Sequence, residues 1–197
     1  MPDHRPISWT NTMSIRRVNE VSSRLSLRPP QRTSLEILDH VFETVRLDKA
    51  TDPVIALDAI RSEYPSVTDF EREFPSLCFS LATGVGKTRL MGAFIAYLHL
   101  DRGLSDFFIL APNLTIYNKL IADFTPNTPK YVFRGLGEFA SGGIEVITGD
   151  NYENGRGVRK VGLFQGGVNI NVFNISKINS EVRGGKSPRR KGPSLKP

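Results

Sequence analysis

The chain has 197 residues, 39% hydrophobic and 23% charged, which suits one domain with a real core and a polar extension. Its net charge is +6, with a pI near 9.6, but residues 181–197 hold six basic side chains (Arg183, Lys186, Arg189, Arg190, Lys191, Lys196) against one acid, so the body before them is close to neutral and its charge does not mark a nucleic-acid binder. One cysteine, Cys78, and three scattered histidines, His4, His40 and His99, exclude an intrachain disulfide and a cysteine metal cluster and argue against a zinc site.

Residues 1–27 are polar, with Ser, Arg and Asn interspersed, and read as an extension that is mostly loop or a short surface helix. Its opening, MPDHRPISWTNTM, lacks the apolar centre of a signal peptide. Pro29 and Pro30 stop whatever precedes them. A helix should follow, because Thr33 and Glu36 have capping-box spacing and Leu35, Leu38, Val41, Phe42 and Val45 repeat on one face. Asp52 and Pro53 form the cap and first turn of a second helix, running to about Tyr64.

The run from residue 77 to 82, LCFSLA, is short, mostly apolar and ends at glycines. It reads as a buried parallel strand, although periodicity alone leaves a helix open. Residues 87–100 have helical length. The apolar stretch 91–100 is too short to span a bilayer, and with the missing signal peptide this predicts a soluble, cytoplasmic protein. FFILA at 107–111 is a second buried strand, and Asn113 caps a helix through Phe124 with Leu114, Tyr117, Leu120 and Ile121 on one side. Strand, glycine loop, helix and strand make a βαβ unit and a parallel sheet. Further strands are predicted at 131–133, 144–148 and 170–178, with loop between the last two. From Gly184 the composition is that of a disordered tail.

Chemistry enters at residues 80–91, SLATGVGKTRLM. The strict phosphate-loop pattern G-x-x-x-x-G-K-[ST] fails at its first glycine, where Leu81 stands, but a looser A-T-G-x-G-K-T form fits. Phosphate binding needs curled backbone N–H groups and close approach, which Gly84 and Gly86 permit. The head of the next helix adds positive partial charge. Lys87 would reach the β- and γ-phosphates, and the Thr88 hydroxyl would ligate Mg2+. Thr83, Gly84, Val85, Gly86, Lys87 and Thr88 are therefore the candidate ATP-binding residues, with Lys87 and Thr88 the catalytic pair. The bland alternative, a glycine turn between core elements with Lys87 solvated, is weakened by the apolar run before it and by Thr88.

LATGVGKTRLM followed by FFILAPNLTIYNKL resembles the first RecA-like domain of superfamily 2 helicases, closest to the restriction subunit of type III restriction enzymes and the helicase/UvrB N-terminal group. The resemblance runs from about residue 27 to 179. It implies an α/β P-loop NTPase domain, a parallel sheet flanked by helices over residues 27–180, with 1–26 as an extension and 181–197 as a basic tail. It also implies ATP and Mg2+ as cofactors, double-stranded DNA as partner, and a modification methyltransferase subunit beside an endonuclease subunit. By the same resemblance, Gln31 in LRPPQ stands where an amide pairs with adenine, Pro112, Asn113 and Thr115 touch the DNA backbone, and Thr148 and Gly149 in VITGD form a later backbone contact. Each has a plain structural alternative: a polar residue opening a helix, an Asn-capped turn, a strand end.

Hydrolysis also needs an aspartate holding magnesium from a second side and a group orienting water. In this family both come from a D-E-x-H-like motif ending a buried strand after the loop. Asp101, Asp106, Asp123, Asp150 and Glu181 do not end an apolar run beside a second acid, and Asp58 precedes the loop. The sheet is accordingly expected to be incomplete at the C-terminus, with hydrolysis lost or very weak. The alternatives are a non-catalytic nucleic-acid-binding fragment acting through its basic tail, and an inert gene fragment.

Overall fold

A computed structural model describes residues 9–45, 47, 50–140, 143–152 and 167–175. The chain divides into two compact units, residues 1–97 and 98–197.

The first unit opens with a helix, α1 (Trp9–Arg24), where loop or a short helix is predicted. The reason lies in the spacing of Val18, Val21, Ser22 and Leu25, which share one helical face and are all buried. The polar residues between them mask that stripe in a composition reading. An elbow follows, closed by Leu25 N–H on Val21 O (3.0 Å) and Leu27 N–H on Ser22 O (2.9 Å). Helix α2 (Pro29–Thr44) starts at the two prolines, whose missing N–H groups have no role in a first turn. The Thr33 cap is thus displaced into the helix interior. Leu35, Leu38, Val41 and Val45 are buried as their spacing requires, whereas Phe42 is half-buried.

Helix α3 (Pro53–Glu63) is capped by the Asp52 carboxylate, which accepts from Val54 N–H at 2.8 Å. Val41 and Val45 of α2 pack with Ala56 and Ile60 of α3 and with Phe70. Helix α4 (Lys87–Arg102) begins in this unit. Its Tyr97, fully buried, donates to Asp39 Oδ1 at 2.6 Å and so ties α4 to α2.

The strand predicted at 77–82 is not in the sheet of the described residues. Leu77, Phe79 and Leu81 are half-buried while Cys78, Ser80 and Ala82 are exposed. Phe79 turns onto Phe94, ring centres 4.9 Å apart. An apolar run permits a buried strand, but a ladder needs a neighbour in register, and this segment has one wet side.

The second unit holds β1 (Asp106–Ala111), α5 (Leu114–Phe124), β2 (Ile144–Thr148), the short α6 (Gly149–Tyr152) and β3 (Val168–Asn174). All pairings are parallel, in the order β1-β3-β2, with Ala111 opposite Asn174 and Thr148 opposite Val172. Helix α5 lies against β1 and β3. It is capped by Asn113, whose Oδ1 accepts from Ile116 N–H at 2.9 Å. Tyr117 and Leu120 are buried, whereas Leu114 is 55% exposed. The strand expected at 131–133 is instead a turn. Val132 N–H bonds Asp123 O (2.9 Å), and Tyr131 and Phe133 bury themselves with Phe139. Aromatic residues favour strands chiefly because strands are half-buried, and a packed turn serves them equally. Residues 176–178 of the last predicted strand and the tail from 181 lie outside the described residues.

Candidate functional site: a glycine loop at the head of α4

Local geometry builds the site. Gly84 has φ +81° and Gly86 φ +94°, both in the left-handed region, so the chain curls before α4 starts at Lys87. Arg89 and Leu90 N–H both bond Gly86 O, at 3.0 and 3.2 Å, and close the first turn. The head of this 16-residue helix carries positive partial charge. Thr83, Gly84, Gly86 and Lys87 are exposed; Val85 and Thr88 are half-buried. The Lys87 ammonium rests on Ala82 O at 3.2 Å, folded back across its own loop.

The loop is fastened from behind by the α1–α2 elbow. Gln31 is 1% exposed. Its Nε2 donates to Val85 O (3.0 Å) and Gly86 O (2.9 Å), and its Oε1 accepts from Arg28 N–H (2.8 Å). Arg28 Nη1 reaches Gly84 O at 3.3 Å, and Arg89 Nη1 returns the connection to Leu25 O at 2.8 Å. The residue expected to face a base therefore faces the loop. Arg28 and Arg89 complete the junction, and neither was singled out from the sequence. The only hint was that Arg28 stands one helical turn before Gln31.

A cavity of about 700 Å³ lies in the same unit between α2, α3 and residues 66–80. It is lined by Ile37, Ile60, Tyr64 and Phe70 but by none of residues 83–88. It is a gap in the helical layer, separate from the loop.

In the second unit Pro112, Asn113 and Thr115 are exposed at the end of β1 and the start of α5, with the Asn113 side chain engaged as the helix cap. Thr148 is buried at the end of β2, and its N–H donates to Asn151 Oδ1 at 2.7 Å. Gly149 is exposed where α6 starts. The two groups share the carboxyl end of the sheet, separated by β3, hence by about 10 Å at the usual strand spacing. Buried Asn174 ends the strand between them. That edge is where open α/β sheets receive ligands. Among the described residues no three His, Cys, Asp or Glu side chains form a metal cluster, and no helix is long and apolar enough to cross a membrane.

Parallel strands flanked by helices, with a glycine loop heading a long helix, define an α/β domain of the RecA-like kind. The family model for the type III restriction enzyme res subunit matches residues 24–193, and the chain belongs to that family, in its superfamily 2 helicase N-terminal region. It is a helicase- and restriction-subunit-like domain of a family that uses nucleotide and Mg2+ and acts on DNA. No curated protein and no solved structure matches it.

Proposed function

We propose that this chain binds ATP with Mg2+ through residues 83–88 and engages DNA, and that this polypeptide turns ATP over at a negligible rate. The observation that carries the reading is the pair of left-handed glycines, Gly84 and Gly86, immediately before Lys87 and Thr88 at the head of α4. A triphosphate needs converging N–H donors, a mobile cation and an oxygen ligand for magnesium. The loop offers all three. Mg2+ would supply charge neutralisation at the phosphates. Lys87, which rests on Ala82 O, would turn to the phosphates, and the Thr88 hydroxyl would hold the metal. The remaining step, orienting a water, has no acidic pair in this sequence to perform it, so binding without turnover is the consistent outcome.

DNA contact is assigned to the carboxyl edge of the sheet, with Pro112, Asn113 and Thr115 on one side and Thr148 and Gly149 on the other. The exposed head of α5 would meet phosphate, whereas buried Thr148 would act by setting the β2 turn. A cytoplasmic location and a modification methyltransferase partner go with this family reading. A second reading, a nucleic-acid binder acting through residues 181–197, rests on the charge concentrated there.

The test is binding of a labelled ATP analogue to the wild type and to Lys87→Ala, alongside steady-state ATPase. Loss of binding in the variant with no turnover in the wild type is expected. A saturating nucleotide, at 100 times its Kd, should stabilise the wild type by about 2.7 kcal/mol and the variant far less. Equal binding by both proteins would overturn the site; turnover at helicase rates would overturn the assignment of a silent site.

A further inference from the structure

We propose that the α1–α2 elbow is a surface for the phosphate backbone of duplex DNA, with Arg16 and Arg24 as its free cations. The inference rests on the DNA reading above and adds a face in the first unit to the edge assigned in the second. Over residues 1–180 the basic side chains outnumber the acids by only one, but they are not spread evenly. Residues 16–32 hold five arginines (Arg16, Arg17, Arg24, Arg28, Arg32) against one acid, Glu20. Folding brings Arg89 to the same place, since its Nη1 reaches Leu25 O at 2.8 Å, next to Arg24 in the chain.

Acids do not cancel these charges. Glu20 is taken by Arg17 at 2.6 Å and Glu36 by Arg32 at 2.8 Å. Arg28 and Arg89 meet backbone carbonyls, Gly84 O at 3.3 Å and Leu25 O at 2.8 Å, which engage an N–H and leave the charge whole. Arg16 and Arg24 are exposed and meet no carboxylate among the described residues. At about 100° per residue both fall outside the buried stripe of Val18, Val21, Ser22 and Leu25, and they stand about 12 Å apart along the axis. A solvated helix face ordinarily mixes both signs. Uncompensated arginines repel one another and gain by meeting a polyanion, whose phosphates a guanidinium fork fits in pairs of hydrogen bonds. The family acts on DNA, which makes that polyanion a nucleic acid. Residues 15–32 include no aromatic side chain, so the face has nothing on which an unpaired base could stack. It suits the backbone of a duplex, a contact that positions and does not specify.

The experiment titrates a fluorescent duplex with the full chain and with Arg16→Gln/Arg24→Gln, Arg16→Lys/Arg24→Lys and Arg72→Gln, across a salt series. Arg72 is exposed and lies outside the elbow. The glutamine pair should flatten the slope of log affinity against log salt by about 1.8, at roughly 0.9 for each phosphate contact. The lysine pair should keep the slope, and so should Arg72→Gln. An unchanged slope in the glutamine pair overturns the proposal while duplex binding by the wild type leaves the DNA reading standing. An equal loss per charge at Arg72 would show that net charge alone is sensed, and overturns it too. Should the glutamine pair lose binding to phosphatidylserine vesicles but keep its hold on the duplex, the face belongs to a membrane surface and the proposal fails. A wild type that binds no duplex at low salt defeats the DNA reading itself, and this inference with it.

Should the variants not fold, the wild type decides. Phenylglyoxal modifies exposed arginines, and peptide mass spectrometry reads each site. Duplex should slow the modification of Arg16 and Arg24 and leave Arg72 as it was. No protection at Arg16 and Arg24, or equal protection at all three, refutes the elbow surface.

Discussion

Gly84 and Gly86 are both left-handed, yet replacing them by alanine should have unequal effects. A Cβ on Gly84 meets nothing within 4 Å, whereas one on Gly86 would stand 2.7 Å from Gln31 Nε2. The left-handed backbone costs an L-residue about 1–2 kcal/mol at either position. The loss of unfolded-chain entropy offsets some of this equally in both. The contact falls on Gly86 alone. A methyl carbon and an amide nitrogen overlap at 2.7 Å, well inside van der Waals contact, so the amide withdraws and its bonds to Val85 O and Gly86 O go with it. At roughly 1 kcal/mol net for each bond, Gly86→Ala should destabilise by about 2 kcal/mol more than Gly84→Ala. Urea unfolding with matched m-values measures the difference. In a Gln31→Ala background the difference should vanish, since the two effects then share one cause. Equal losses at the two glycines, or a difference that survives in the Gln31→Ala protein, would refute the fastening of the loop by Gln31.

Tyr97→Phe should lower unfolding stability by about 1.5–3 kcal/mol, the range for a hydrogen bond to a charged group, because the buried hydroxyl donates to Asp39 Oδ1 at 2.6 Å; a urea midpoint equal to wild type would exclude that link between α2 and α4. Burial pushes the Tyr131 phenol up from 10.0 to about 12, with its O–H on Phe139 O at 2.7 Å. The folded state then keeps a proton that the unfolded state has lost. Stability is full below pH 10 and should fall as pH rises from about 10 to about 12; in Tyr131→Phe this part of the alkaline fall should be absent, as read by chemical denaturation across that window. If the tail carries DNA binding, deleting residues 181–197, with six basic side chains and one acid, should flatten the slope of log affinity against log salt by up to about 5; an unchanged slope would eliminate the tail reading.

The elements legible in the sequence are those whose signals are local. Asp52 before Pro53, and Asn113 before an apolar-periodic run, each place a cap side chain where the next N–H groups need one, and both caps form. The strands predicted at 107–111 and 144–148 form, at 106–111 and 144–148, where short apolar runs stand between breakers. The failures have a common physical origin. Helix α1 hides its stripe of Val18, Val21 and Ser22, continued by Leu25 just beyond it, among polar residues, and its stability comes from lying against α2, a contact that composition does not record. Residues 77–82 and 131–133 have strand-like composition, but pairing depends on a neighbour elsewhere in the chain. In neither case is that neighbour written into the segment.

The loop itself divides in the same way. That Gly84 and Gly86 can turn left-handed follows from residue type, since no other residue takes those dihedrals as freely, and the helix after them is announced by the length of residues 87–100. That Gln31 would be the group behind them does not follow. The spacing from Gln31 to Gly86 is 55 residues, and nothing between them fixes which way an amide at the head of α2 should point. The prolines set the direction: by starting α2 at Pro29 they place Gln31 in its first turn, where its Oε1 meets Arg28 N–H. That bond fixes the plane of the amide, and its two N–H groups then fall on the loop carbonyls. The elbow, which straddles the boundary read between a polar extension (1–26) and the domain (27–180), is thus the back wall of the site, and the loop is held by residues 25–31 as well as by its own glycines.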